Sequence, residues 1–199
     1  MPLKSNADRY GSVATAIHWV TAVLIIALFI TGLQAASQTD EATKIALLRA
    51  HIPLGIGVLV LTALRIVWRF LADCGPNPPP NEPTWRRSMA RVVHVCLYVV
   101  VIVSAASGIA VVVMSGALPS ITGGTSLPEL AIGLPRAMHG IVPRLMLALL
   151  ALHVGAALYH QFVLRDRLLA RMGLGRHRNV TDFPTDPFVP QRHPSASNR

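Results

Sequence analysis

A chain of 199 residues that is 52% hydrophobic and only 14% charged, with a mean hydropathy of +0.50, is too apolar for a soluble domain, where about 25% of residues are charged. The 18 Lys and Arg outnumber the 9 Asp and Glu to give a formal charge of +9. In so apolar a chain that charge reports topology first, and no aromatic residues interleave a basic patch, so lipid headgroups rather than nucleic acid are the expected partner.

The first apolar span, about 16–36, has the roughly 20 residues that cross about 30 Å of hydrocarbon. It is longer than the apolar stretch of a secretory signal and three more spans follow, so it is expected to be retained. A second span, about 51–70, carries Arg65 and Arg69 and is closed by the loop Cys74-Gly-Pro-Asn-Pro-Pro-Pro. A third, about 92–114, lies in a stretch without formal charge from Val92 to Pro128 and is broken by Gly116, Pro119, Gly123 and Gly124. A fourth, about 137–164, has Pro143 near its beginning, where a missing backbone donor costs least. Residues 1–172 thus form one transmembrane domain, and 173–199 a basic, Pro-rich cytoplasmic tail.

The N-terminus, the second loop with its adjoining helix ends, and the tail hold 14 Lys and Arg, against 4 on the opposite side: Lys44, Arg49, Arg136 and Arg144. The positive-inside rule then places both termini and the second loop in the cytoplasm. The fold expected is an all-α, four-transmembrane-helix up-down bundle.

Two cysteines, Cys74 and Cys96, offer neither a zinc motif nor covalent haem attachment. Eight histidines are the unusual feature, and several lie within apolar runs, where an ionisable side chain marks a functional site. His18 falls near the inner end of the first span, His51 at the outer end of the second and His94 near the inner end of the third. On the fourth, His139 is outer and His153 inner.

His139 and His153 are fourteen residues apart, about 21 Å along the axis and within about 40° of one face. Each needs a partner at its own depth. His51 is the outer one for His139; His18 and His94 are both available to His153. Facing imidazoles at two depths of an apolar bundle are what bis-histidine haem ligation requires. Arg65 follows His51 by the same fourteen residues and lies at the inner depth, where a haem propionate needs a cation. Arg49 and Arg136 sit beside the outer histidines in the same capacity.

The chain resembles the bacterial cytochrome b561 family through about Met172. The likeness rests on Arg9-Tyr10 followed by His18-Trp19, on His51-x3-Gly55 with Arg65-x2-Trp68-Arg69, and on His94-x3-Tyr98 leading to Ser107-Gly108. Its most specific part is His139, then His153-x2-Ala156-Ala157-Leu158-x-His160-x-Phe162, and Arg165-Asp166-x-Leu168-Leu169-x-Arg171-Met172. Gln161 departs from the family, which has a second histidine there, and the segment from Ser115 to Pro135 is short for it.

The resemblance implies two b haems in the bacterial inner membrane, His18 with His153 on the cytoplasmic side and His51 with His139 on the outer side. It also implies electron transfer between an outer donor, superoxide among the possibilities, and membrane ubiquinone. Docking of a redox enzyme or soluble redox protein is the alternative. His94 and His160 are left as positioning or quinone-site residues.

Overall fold

In the computed structural model, residues 2–73, 75–77, 82–123, 126–130, 133–166 and 168–174 are described. Four long helices dominate: α1 (Ser12–Ser37), α2 (Glu41–Leu71), α3 (Thr84–Met114) and α5 (Leu134–Tyr159). A π turn (His160–Leu164) extends α5, and two short helices, α4 (Leu118–Gly123) and α6 (Leu168–Arg171), flank the bundle. The tail from residue 175 lies outside the described residues.

Each long helix is apolar enough to cross a membrane when the π turn is counted with α5. Their apolar surface faces outward: only 11% of the apolar window of α1 is buried, and Val20, Val23, Ile26, Ile30 and Leu33 are all at least half exposed. That is the arrangement of a bundle solvated by lipid.

All four long helices start earlier than the apolar runs. Polar residues continue α2 back to Glu41, where Asp40 caps it by accepting from the Thr43 amide at 2.9 Å. α3 begins after Pro83, and α5 has a proline at its start. Because α5 begins at Leu134, Pro143 lies inside the helix rather than near its first turn, and Pro53 lies inside α2. Pro143 frees the backbone carbonyl of His139 itself, and Pro53 that of Arg49, two residues before His51.

α1 packs along α2, and α3 along α5, as two antiparallel hairpins. α2 and α3 join them, while α1 and α5 barely touch across the seam. The shared core is Ile25, Val58, Val100, Val101, Val142 and Met146.

At one end the N-terminal segment, the end of α2 and α6 form a clasp. Ser5 Oγ donates to Asp73 Oδ2 at 2.7 Å, and the Tyr10 amide to the Arg171 carbonyl at 3.1 Å. Arg171 Nε donates to the Asp8 carbonyl at 2.8 Å and Trp19 Nε1 to the Met172 carbonyl at 3.0 Å. At the other end, Arg49 Nε donates to the Ile121 carbonyl at 2.5 Å and Glu41 accepts from the Leu127 amide. The chain therefore runs up and down with residues 2–11 and 168–174 at the same end.

Candidate haem sites

The helix register brings His51 and His139 together near one end of the seam. Their ring centres are 6.1 Å apart and the planes 86° to each other. Deeper toward the clasp, His18 and His153 face each other at 6.3 Å and 74°. An imidazole nitrogen holds a metal at about 2 Å and its ring centre lies about 1 Å further back, so two rings on opposite sides of one ion sit about 6 Å apart. Both pairs meet that spacing. His94 is also beside His153, but at 5.0 Å its ring leaves no room for an ion between them.

Hydrogen bonds at the His51–His139 pair fix the tautomer that such ligation needs. Thr31 Oγ1 donates to the Ala27 carbonyl at 2.8 Å and lies 3.1 Å from His51 Nδ1; having spent its proton, it accepts from Nδ1–H. Ser107 Oγ does the same, donating to the Ser104 carbonyl at 2.9 Å and lying 3.2 Å from His139 Nδ1. His139 Nδ1 also donates to the Ser104 carbonyl at 3.0 Å. Nε2 is left unprotonated on both rings, the usual state of a metal-bound imidazole whose other nitrogen is anchored.

Glycines bring these rings close to the neighbouring backbone. A methyl group on Gly32 would stand 2.9 Å from His51 Cε1, and one on Gly108 would stand 2.8 Å from His139 Cε1. Both rings line an apolar cavity of about 70 Å³ together with Ile25, Val58, Val101 and Met146. In the sequence Ser107-Gly108 stands out only through the family likeness and Thr31-Gly32 not at all, although the two are the same hydroxyl-glycine pair.

The arginines divide. Arg65 is half-buried and donates from Nη1 to His18 Nδ1 at 2.5 Å. Arg49 turns away from His51 to hold the Ile121 and Thr122 carbonyls at the end of α4. Arg136 lines an open groove at the end away from the clasp with Lys44, Glu41 and Glu129. At the clasp end, the π turn swings His160 back so that its Nδ1 bonds the Asp166 carboxylate. His94 Nδ1 donates to the Ala90 carbonyl at 2.6 Å. Among the described residues, no group of three or more His, Cys, Asp or Glu side chains converges as a metal site. Paired imidazoles with an apolar seam between them suit an iron whose remaining ligands come from a porphyrin.

A sequence profile of the family described as prokaryotic cytochrome b561 matches residues 9–175. The chain belongs to the prokaryotic cytochrome b561 family. It is 25% identical over 184 residues to cytochrome b561 homolog 2 of Escherichia coli (strain K12), covering 86% of this chain and 95% of that protein. Cytochrome b561 homolog 1 of the same strain is 27% identical over 173 residues, with 83% and 97% covered. A probable superoxide oxidase CybB of Yersinia pestis is 27% identical over 171 residues, with 82% and 95% covered. No solved structure matches the chain significantly. This b561 protein is accordingly a multi-pass protein of the bacterial inner membrane, binds b-type haem and works in membrane electron transfer.

Proposed function

We propose that this b561 protein moves single electrons across the membrane, from an outer-side donor to ubiquinone, through two b haems. His51 and His139 hold the outer haem and His18 and His153 the inner one, both termini being cytoplasmic by the distribution of Lys and Arg. The observation that carries this reading is the pair of ring separations, 6.1 and 6.3 Å, at two depths of one seam.

Bound haem supplies reversible one-electron chemistry; the protein supplies position and surroundings. Held by His51 with His139 and by His18 with His153, each haem would serve electron transfer rather than oxygen binding. Thr31, Ser107 and the Ser104 carbonyl hold the outer rings by Nδ1, which keeps Nε2 directed at the ion and raises its basicity. Arg65 is placed for a propionate at the inner site. Its present bond to His18 Nδ1 must open for Nε2 to ligate, because arginine only donates. A carboxylate beside it gives the guanidinium another partner.

The likeness to the Yersinia protein supports superoxide as the donor. The outer groove sets Lys44 and Arg136 against Glu41 and Glu129, so the likeness rather than the charge of the groove supports this donor; Arg49 serves α4 instead. At the inner end, Gln161 Oε1 and Asp166 Oδ1, buried and without a partner among the described residues, suit the hydroxyls of a quinol. His160, bonded to Asp166, is the group that exchanges a proton with it.

The test uses purified, haem-loaded protein in detergent. His139→Ala and His153→Ala each remove one haem, leaving the other with an unchanged low-spin spectrum. Superoxide added under deoxygenated buffer reduces the wild-type haems faster than the uncatalysed background, and added ubiquinone reoxidises them. Retention of both haems in either variant overturns the ligand assignment; no accelerated reduction overturns the donor.

A further inference from the structure

The two hairpins repeat one pattern. On the first helix of each, a histidine precedes a hydroxyl and a glycine by thirteen and fourteen residues: His18 with Thr31-Gly32 on α1, His94 with Ser107-Gly108 on α3. On the second helix, a histidine is followed fourteen residues later by another polar group: His51 by Arg65 on α2, His139 by His153 on α5.

The three-dimensional contacts keep the same register. Buried Ile25 and Ala35 of α1 correspond to buried Val101 and Val111 of α3, and buried Val58 of α2 to buried Met146 of α5. Thr31 anchors His51 as Ser107 anchors His139, and Gly32 backs one ring as Gly108 backs the other. His18 meets Arg65 within the first hairpin, at 2.5 Å; its counterpart His94 meets His153 within the second, with ring centres 5.0 Å apart. Two copies of one hairpin, both starting at the clasp end and related by an approximate two-fold axis along the membrane normal, account for all of these correspondences.

On that axis the outer pair is symmetric, His51 facing its own counterpart His139. The inner pair is not. The counterpart of His153 is Arg65, and the counterpart of His18 is His94. We infer that position 65 is a latent haem-ligand position, the two-fold counterpart of His153, where arginine stands in place of a ligand and His18 of the adjacent helix supplies the coordinating nitrogen instead.

The inference rests on His18 and His153 being the inner pair. Position 65 sits at the same depth and turn of its hairpin as His153 does of its own. It also already contacts the ring that opposes His153. His94 then has a plain origin: it is the unused counterpart of His18, brought against His153 by the repeat.

Four forms of the full chain test this: wild type, His18→Ala, His18→Ala with Arg65→His, and His18→Ala with Arg65→Ala. Haem content is measured by pyridine haemochrome, and low-spin haem by electron paramagnetic resonance, with the outer-haem signal as the check on folding. His18→Ala is expected to lose the inner low-spin signal, a fall from two low-spin haems to one. Arg65→His on that background restores at least half of it, whereas Arg65→Ala restores none.

Added imidazole provides a further arm. The inference is overturned if imidazole makes the inner haem low-spin in the His18→Ala, Arg65→His variant while the introduced side chain does not. It is equally overturned if that variant binds only the outer haem under all conditions. Two unchanged low-spin haems in His18→Ala alone would instead overturn the inner-pair assignment on which it depends.

Discussion

His51 and His139 lie with their planes 86° apart across the seam, each pressed on its far side against a glycine of the adjoining helix. The ring positions are therefore set from behind by backbone. Gly108→Ala would put a methyl 2.8 Å from His139 Cε1 and 3.1 Å from Nδ1, so the ring must shift by some tenths of an ångström. Packed interiors give way poorly to one added methyl, at a cost of about 1–3 kcal/mol. The expected outcome is lowered outer-haem occupancy and an altered low-spin resonance, with the inner haem unchanged. Haem quantification with paramagnetic resonance checks it.

Thr31 accepts the Nδ1 proton of His51 at 3.1 Å. That bond makes the imidazole more electron-rich and favours the oxidised iron. Thr31→Val removes it while keeping the shape. A neutral hydrogen bond contributes about 1 kcal/mol, which for one electron is about 40 mV, so the outer-haem potential rises by up to that amount. Redox titration monitored by visible absorbance measures the shift.

Asp73 ties the N-terminal segment to the end of α2. Burial alone would push its carboxyl up, but hydrogen bonds from Ser5 and Gly75 outweigh it and hold the group below the usual carboxylate range. A lowered folded-state value means stabilisation that is fully present above the unfolded-state pKa of about 4 and lost as pH falls through the folded value. Protease cleavage before Gly11 is expected to accelerate only in that acidic window. In Asp73→Asn the rate is high at neutral pH and loses its dependence on this window. Cleavage rates measured with an acid-active protease across the range decide it.

Arg49 fastens α4 to α2 through two carbonyls. Arg49→Ala leaves the last turn of a six-residue helix without that cap. At an exposed position the loss is about 1 kcal/mol, or about fivefold in local opening. Hydrogen exchange of the amides in 118–123 is expected to quicken by that factor, with the α2 core and the outer haem unaffected.

The four spans were legible because hydrocarbon demands some twenty apolar residues in a row, and nothing else in the chain competes with that pattern. Their ends were not, since past the membrane a helix is stopped by caps such as Asp40 rather than by loss of apolarity. α4 and α6 are too short to leave a periodic signal; α4 is held by Arg49 of α2, and α6 by its own Arg171 reaching back to the Asp8 carbonyl. The depth of each histidine was legible; the choice between His18 and His94 was not, because both rings approach His153. Arg49 had no pattern to say that it would serve a helix end instead of the outer histidines. The repeat was half hidden: Gly32 precedes His51 by 19 residues but Gly108 precedes His139 by 31, the longer connection carrying α4.

The thin contact between α1 and α5 bears on how the molecule is assembled. Under the proposed assignment each iron would take one ligand from each hairpin and so rivet the two halves together, beside the core that Ile25, Val58, Val101 and Met146 share across them. A ligand that binds only the joined state stabilises it in proportion to the logarithm of its concentration. Under that assignment, docking of the two hairpins and uptake of haem are one linked equilibrium, and each would favour the other.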